Sequence, residues 1–165
     1  MAPASKKLRK NSLKSSAQKR RTIRKHSRSG IYTVPRGHVS IAVPPFWTLR
    51  QTNDDLQIEA PSGATSVIVT AFKHEKAGGA PDARDFLARF LQTAPRNGRT
   101  TIEKGSRQQA VARYRDTDGD HWQIMFLTNG KTLLMATCSS SGPLTGREAR
   151  TGVEVLASLK LKPGE

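Results

Sequence analysis

The chain has 165 residues, one cysteine and a formal net charge of +15. This length suffices for one domain with its own hydrophobic core, and the single Cys138 excludes an intrachain disulfide and a multi-cysteine zinc site. No run reaches the ~18 apolar residues of a membrane span, and no secretory signal is recognisable, so we expect a cytoplasmic protein without a membrane span.

Positive charge is concentrated in the first 30 residues. They hold 11 of the 28 Lys and Arg and no acidic residue, whereas residues 31–165 hold 17 basic and 13 acidic residues. Their few apolar residues follow no helical stripe, so residues 1–30 are predicted to be a disordered basic tail. Its densest part is a candidate polyanion-binding group consisting of Lys19, Arg20, Arg21, Arg24, Lys25 and Arg28.

Charge alone gives this tail a weak attraction to nucleic acids and other polyanions, because each neutralised phosphate releases counterions. The tail has no aromatic residue that could stack on bases. The same composition also suits a solvated extension, a localisation signal, a mitochondrial transit segment or an upstream start site. These alternatives stay open at this point.

Alternating apolar residues predict three strands in the first half of the domain. "HVSIAV" alternates and ends at Pro44, and we expect Phe46 and Trp47 beyond it to be core anchors. "LQIEA" and "SVIVTAF" are separated by a turn at residues 61–63. They are therefore expected to form an antiparallel hairpin.

From residue 82 the apolar residues no longer alternate but recur every three or four positions, which predicts a helix. Asp82 is a suitable N-cap, and Pro95 and Gly98 end the pattern. The apolar face at i, i+3 and i+4 spacing consists of Ala83, Phe86, Leu87, Phe90, Leu91 and Ala94.

Three further strands and a second helix complete the predicted domain. The strands are "QQAVARYR", "HWQIMFL" and "TLLMATCS", and the helix is "LTGREARTGVEVLASL". Thr145 and Glu148 are spaced as a capping box, while Gly152 weakens the helical pattern. Residues 31–162 are thus predicted to form one α+β domain, in which an antiparallel sheet is flanked by two main helices.

Two apparent ligand motifs border the strand "HWQIMFL". A calcium loop starting at Asp116 needs glycine and glutamate at its sixth and twelfth positions, which are His121 and Leu127. A phosphate loop ending in "GKT" needs glycine where Met125 stands, and a helix rather than a strand must follow. "DTDGD" and "TNGKT" are therefore predicted to be hairpin turns with charged groups at the surface.

No pattern predicts a catalytic, metal or cofactor site. Residues 139–143, "SSSGP", lack the glycine of a nucleophile elbow, and no H-E-x-x-H is present. Cys138 is expected to be a small buried side chain. The histidines are isolated in the sequence, at His26, His38, His74 and His121.

The order of elements over residues 31–162 resembles that of the PsbP-like fold family. The matching features are "HVSIAVPPFW", the helix at residues 82–94, the three hairpin strands and the closing helix that ends in "VLASLKL". The resemblance implies an α/β/α sandwich and a non-enzymatic, dimeric protein-binding module, similar to the small bacterial adaptor chaperones of type VI secretion effectors. It implies no catalytic residues and no cofactor.

These observations favour binding of another protein, with polyanion binding through the tail as the alternative. A third hypothesis is a hydrolase or ligand carrier with a pocket assembled from separated residues. An exposed apolar patch on the sheet would favour a protein partner. A deep pocket with convergent polar groups would favour the third hypothesis.

Overall fold

The computed structural model describes residues 22–23, 28–34, 37–73 and 80–162, which form an α+β fold. The strands are β1 (Thr22–Ile23), β2 (Arg28–Val34), β3 (Gly37–Val43), β4 (Thr48–Gln51), β5 (Asp55–Glu59), β6 (Thr65–Lys73), β7 (Thr101–Gly105), β8 (Gln109–Arg115), β9 (His121–Thr128), β10 (Thr132–Ser140) and β11 (Lys160–Leu161). The helices are α1 (Ala83–Thr93) and α2 (Arg147–Ala157). Neither of these two helices is long and apolar enough to cross a membrane.

The described strands form two antiparallel sheets. The large sheet has eight strands in the order β1-β4-β5-β6-β10-β9-β8-β7, and the small sheet has three in the order β11-β3-β2. β5 pairs with β6, which confirms the predicted hairpin. β8, β9 and β10 pair in sequence order, which confirms the predicted meander.

The two helices lie on opposite faces of the large sheet. α2 packs on β6 and β10, together with the small sheet, which contributes Val39 and Ile41 to the same core. α1 packs mainly on β8 and β9 over a second core. Successive residues of β10 alternate between the two cores, with Leu134 in the first and Leu133 in the second. The predicted α+β class, with a sheet flanked by two main helices, is confirmed.

α1 forms where the spacing of apolar residues predicts it. An Asp82 side-chain oxygen accepts a hydrogen bond from the backbone N–H of Arg84 at 2.9 Å, so Asp82 is the N-cap. Hydrogen bonding to the Arg84 side chain is the main reason that the pKa of Asp82 lies below its usual value. Phe86 and Phe90 are only partly buried against the sheet. The fully buried stripe consists of Ala83, Leu87 and Leu91.

α2 begins differently from the prediction. Its N-cap is Gly146, which has no side chain to cap the helix, so the predicted capping box of Thr145 and Glu148 is wrong. Glu148 instead accepts a hydrogen bond from the hydroxyl of Ser62. The carboxylate is thus engaged by a distant loop rather than by the start of its own helix.

Gly152 lies in the middle of α2 without interrupting it. A Cβ at this position would lie 2.7 Å from Cys138 Sγ and 3.0 Å from Thr65 Cγ2. Such distances are shorter than ordinary van der Waals contact, so a residue without a side chain is required there. Gly152 therefore serves the close approach of α2 to the sheet.

Two strands begin before the predicted domain boundary at residue 30. Thr22–Ile23 pairs with β4, and Arg28 lies opposite Val43 in the pair of β2 and β3. Backbone pairing, which depends little on side-chain hydrophobicity, extends the folded region upstream of residue 31. The disorder predicted for the remainder of the tail concerns residues 1–21 and 24–27, which lie outside the described residues.

The turn at residues 44–47 separates two adjacent aromatic side chains. Trp47 is buried in the first core, as predicted, but Phe46 is 77% exposed, so its prediction as a core anchor is wrong. The Trp47 N–H donates to the Pro44 carbonyl at 3.4 Å, and Phe46 has a φ of 67°. These are features of a type II turn, whose third residue has a positive φ.

Candidate functional site

The "DTDGD" motif is a turn braced by a buried carboxylate. One oxygen of Asp116 accepts from the N–H of Asp118 at 3.0 Å and of Asp120 at 2.9 Å, and the other accepts from Trp122 Nε1 at 2.8 Å. Burial alone would raise the pKa of Asp116, but these hydrogen bonds outweigh burial and lower it. The turn is confirmed, and Gly119 has the positive φ of 95° that it needs. The surface position predicted for Asp116 is wrong, because this carboxylate holds the Trp122 ring.

The "TNGKT" motif is the hairpin turn between β9 and β10, as predicted. Gly130 has a φ of 93°, and the Asn129 side chain accepts from the backbone N–H of Lys131 at 3.1 Å and of Thr132 at 2.8 Å. A strand follows this turn, so no helix N-terminus is available to hold phosphate.

In the part of the chain that the structure describes, the other candidate groups do not meet at a reaction centre. Cys138 is completely buried, as predicted, and burial raises the pKa of its thiol to about 12. Over the described ranges, no group of three or more His, Cys, Asp and Glu could hold a metal ion. In the candidate polyanion-binding group, Arg28 lies in β2, while Lys19, Arg20, Arg21, Arg24 and Lys25 lie outside the described residues.

A groove of about 520 Å³ opens between α1 and the large sheet. Its apolar lining consists of Phe72, Phe86, Phe90, Phe126, Leu133 and Met135. Arg89 and Thr93, both exposed residues of α1, complete the lining. We call these eight residues the α1 groove.

Three adjacent strands and one helix build the α1 groove. Leu133 of β10 lies opposite Phe72 of β6, and Phe126 lies on β9, so the floor crosses the middle of the sheet. Phe86 and Phe90 of α1 form the wall, with ring centroids 6.3 Å and 6.1 Å from that of Phe126. Phe72 remains 40% exposed at the floor, although it is a large aromatic side chain.

The lining of the α1 groove suits binding rather than a reaction. A concave surface rich in aromatic side chains with few polar groups is typical of ligand and partner sites. Arg89 and Thr93 are the polar residues among the described ones that line the groove, and neither is a carboxylate, an imidazole or a thiol. The groove therefore carries an apolar surface with one cation beside it.

Sequence patterns assign most of these residues to the core and do not reveal the groove. Phe86, Phe90 and Phe126 follow the predicted apolar faces of their elements. Phe72 shares a face of β6 with Ser66, Ile68 and Thr70, and this mixed polar and apolar pattern gives no local signal of a groove.

The comparisons with known proteins give a structural neighbour and no family. No family model matches this sequence, and no curated protein does. A crystal structure of a protein from Bacteroides thetaiotaomicron VPI-5482 is similar, with a TM-score of 0.48 and 17% sequence identity. The match covers 75% of this chain and 45% of that chain. This chain thus spans less than half the length of that protein.

Proposed function

We propose that this protein is a cytoplasmic, non-enzymatic module that binds another protein through the α1 groove. The observation that carries the proposal is the aromatic lining of the groove, where Phe72, near the end of the central strand β6, stays 40% exposed. An adaptor or chaperone role, and a dimer, are what the PsbP-like resemblance implies for such a module. Both belong to the proposal.

The backbone of the groove floor favours a helix as the bound segment. β6 is paired with β5 and β10, and β10 is paired with β9, so neither strand offers a free edge. An extended segment lying there would leave its own N–H and C=O groups without partners. An α-helix satisfies these groups internally and can present an apolar face to the groove.

The strand spacing leaves room for one helix beside α1. α1 packs mainly on β8 and β9, and the next strands on that face are β10 and β6. Two strand spacings of ~4.8 Å give about 9.6 Å, which matches the roughly 8–10 Å between the axes of packed helices. We therefore place an amphipathic helix of the partner over β10 and β6, in contact with Phe72 and Met135.

A substitution at the floor of the groove tests the proposal. Peptides of about 16 residues, or roughly four helical turns, are selected from a random display library on the wild-type protein. Phe72→Asp is expected to lower the affinity of the protein for the recovered peptides by about 30-fold or more, since it places a charge in the apolar contact. The dissociation constants are measured by fluorescence anisotropy, and circular dichroism reports whether a bound peptide becomes helical.

Ile102→Asp is the matched control for this substitution. Ile102 is also an exposed apolar residue of the large sheet, at 56% exposure, but it lies on the edge strand β7 outside the groove. We expect it to change the affinity by less than about twofold. Failure to recover any peptide, or equal effects of the two substitutions, contradicts the proposed function.

Polyanion binding through the tail is the second proposal, favoured by 11 Lys and Arg without an acidic residue in residues 1–30. The salt dependence of nucleic-acid binding tests this proposal, because log affinity falls linearly with the logarithm of the salt concentration. Changing Lys19, Arg20 and Arg21 to Gln should make this slope less steep by about 0.7–0.9 for each phosphate that is no longer neutralised. An equal removal of charge at the exposed Arg147, Arg150 and Lys160 serves as the control. The same slope in both variants would refute a role for the tail.

A further inference from the structure

Arg89 stands beside the α1 groove, and no carboxylate among the described residues is in ion-pair contact with it. Its guanidinium carbon lies 6.0 Å from the centroid of the Phe86 ring, which belongs to the groove wall. The ion pairs formed among the described residues are Arg84–Asp82, Arg107–Asp82 and Arg113–Glu103. Arg89 takes part in none of these three pairs.

Covering this groove changes the surroundings of the cation. A segment that packs on Phe86 and Phe90 removes water from one side of the Arg89 guanidinium and replaces it with apolar atoms. Desolvation of a cation costs free energy unless a hydrogen-bonding anion replaces the displaced water. A carboxylate suits this position because it accepts charge-assisted, bidentate hydrogen bonds from a guanidinium.

We propose that Arg89 is a specificity-determining residue, which selects partner helices that carry an Asp or Glu beside their apolar anchor residues. This inference rests on the proposed function of the α1 groove. It also disfavours the chain's own tail as the occupant, because residues 1–30 contain no acidic residue. The acidic side chain of the partner pairs with Arg89 while its apolar side chains contact the floor.

The test uses peptides selected on the full-length wild-type protein. We expect the enriched sequences to contain an Asp or Glu at a fixed distance from two or more large apolar residues. Replacing that acid with Gln should weaken binding to the wild type by about threefold to tenfold, as for a partly exposed ion pair. With Arg89→Glu, the same acid-to-Gln change should instead leave affinity unchanged or improve it, and acid-to-Lys should improve it.

Arg84→Glu is the matched control, because Arg84 is an exposed arginine of the same helix outside the groove lining. It should leave the acid preference unchanged, which separates a local contact from the general charge of α1. Equal affinity of the acidic and Gln peptides for wild type, or an acid preference that survives Arg89→Glu, overturns the role of Arg89. In that case the proposed binding of a protein partner through the α1 groove still stands if Phe72→Asp abolishes peptide binding. If Phe72→Asp leaves peptide binding unchanged, the proposed function is itself refuted.

Discussion

Trp47→Ala is expected to lower the free energy of unfolding by about 3–5 kcal/mol, the usual cost of truncating a buried aromatic side chain. Trp47 is buried in the first core, and its ring lies 3.6 Å from where a Cβ of Gly152 would stand. Its removal leaves a cavity beneath α2, because the surrounding core relaxes only in part around a deleted side chain. Urea denaturation measures the effect as a lower midpoint with an unchanged slope.

Phe46→Gly is the matched control, since it changes the neighbouring aromatic residue in the same turn. Phe46 is 77% exposed and has a φ of 67°, a conformation that costs an ordinary residue about 1–2 kcal/mol. Glycine removes that cost but adds freedom to the unfolded chain, so we expect a change between zero and a gain of about 1 kcal/mol. Similar decreases for both substitutions would contradict the placement of this turn.

Gly152→Val is expected to destabilise the protein by about 3 kcal/mol. The new Cβ alone would come within 2.7 Å of Cys138 Sγ and 3.0 Å of Thr65 Cγ2, and both of these residues are buried in the sheet. Neither neighbour can move far in a packed interior, so α2 must shift outward and pack less closely on the sheet. The same urea measurement gives the decrease in stability.

Ala157→Val separates this steric effect from helix propensity. Ala157 is an exposed residue of the same helix, so valine there carries the propensity cost, below about 1 kcal/mol, without the collision. The destabilisation by Gly152→Val should exceed that by Ala157→Val by at least about 2 kcal/mol. A smaller difference would indicate that α2 does not lie as close to the sheet as described.

Local sequence patterns predict the elements whose side chains contribute to a core. β5 and β6 follow their predicted segments because their side chains alternate about the sheet and one face packs on the first core, whereas β8, β9 and β10 follow theirs because they contribute apolar residues to both cores. α1 follows its segment because its cap and its apolar stripe agree. These features depend on neighbours within a few residues, which a linear pattern contains.

Periodicity misses the elements that are defined by distant partners. Every residue of β7 is exposed, so its strand conformation depends on pairing with β8 rather than on an alternating pattern. β4 has a single buried residue, Leu49, and its sequence likewise gives no strand pattern. The capping role assigned to Glu148 failed for the same reason, because its hydrogen-bond donor is Ser62, 86 residues away in the chain.

The α1 groove cannot be predicted from local patterns because it depends on strand order. Its floor joins Phe72 to Leu133 across the pair of β6 and β10. Its opening depends on α1 lying over β8 and β9 rather than over the middle of the sheet. The sequence contains each aromatic residue, but their common surface forms only when the sheet is assembled.

The burial of Cys138 gives this protein a native reporter of its own opening motions. It is the sole thiol of the chain and lies beneath Gly152 of α2. With a pKa raised to about 12 by burial, almost none of the reactive thiolate is present at neutral pH in the closed state. An alkylating reagent therefore modifies the protein only when α2 separates from the sheet or the chain unfolds globally. The rate of labelling in the absence of denaturant thus measures the free energy of the opening that exposes Cys138, without an engineered probe.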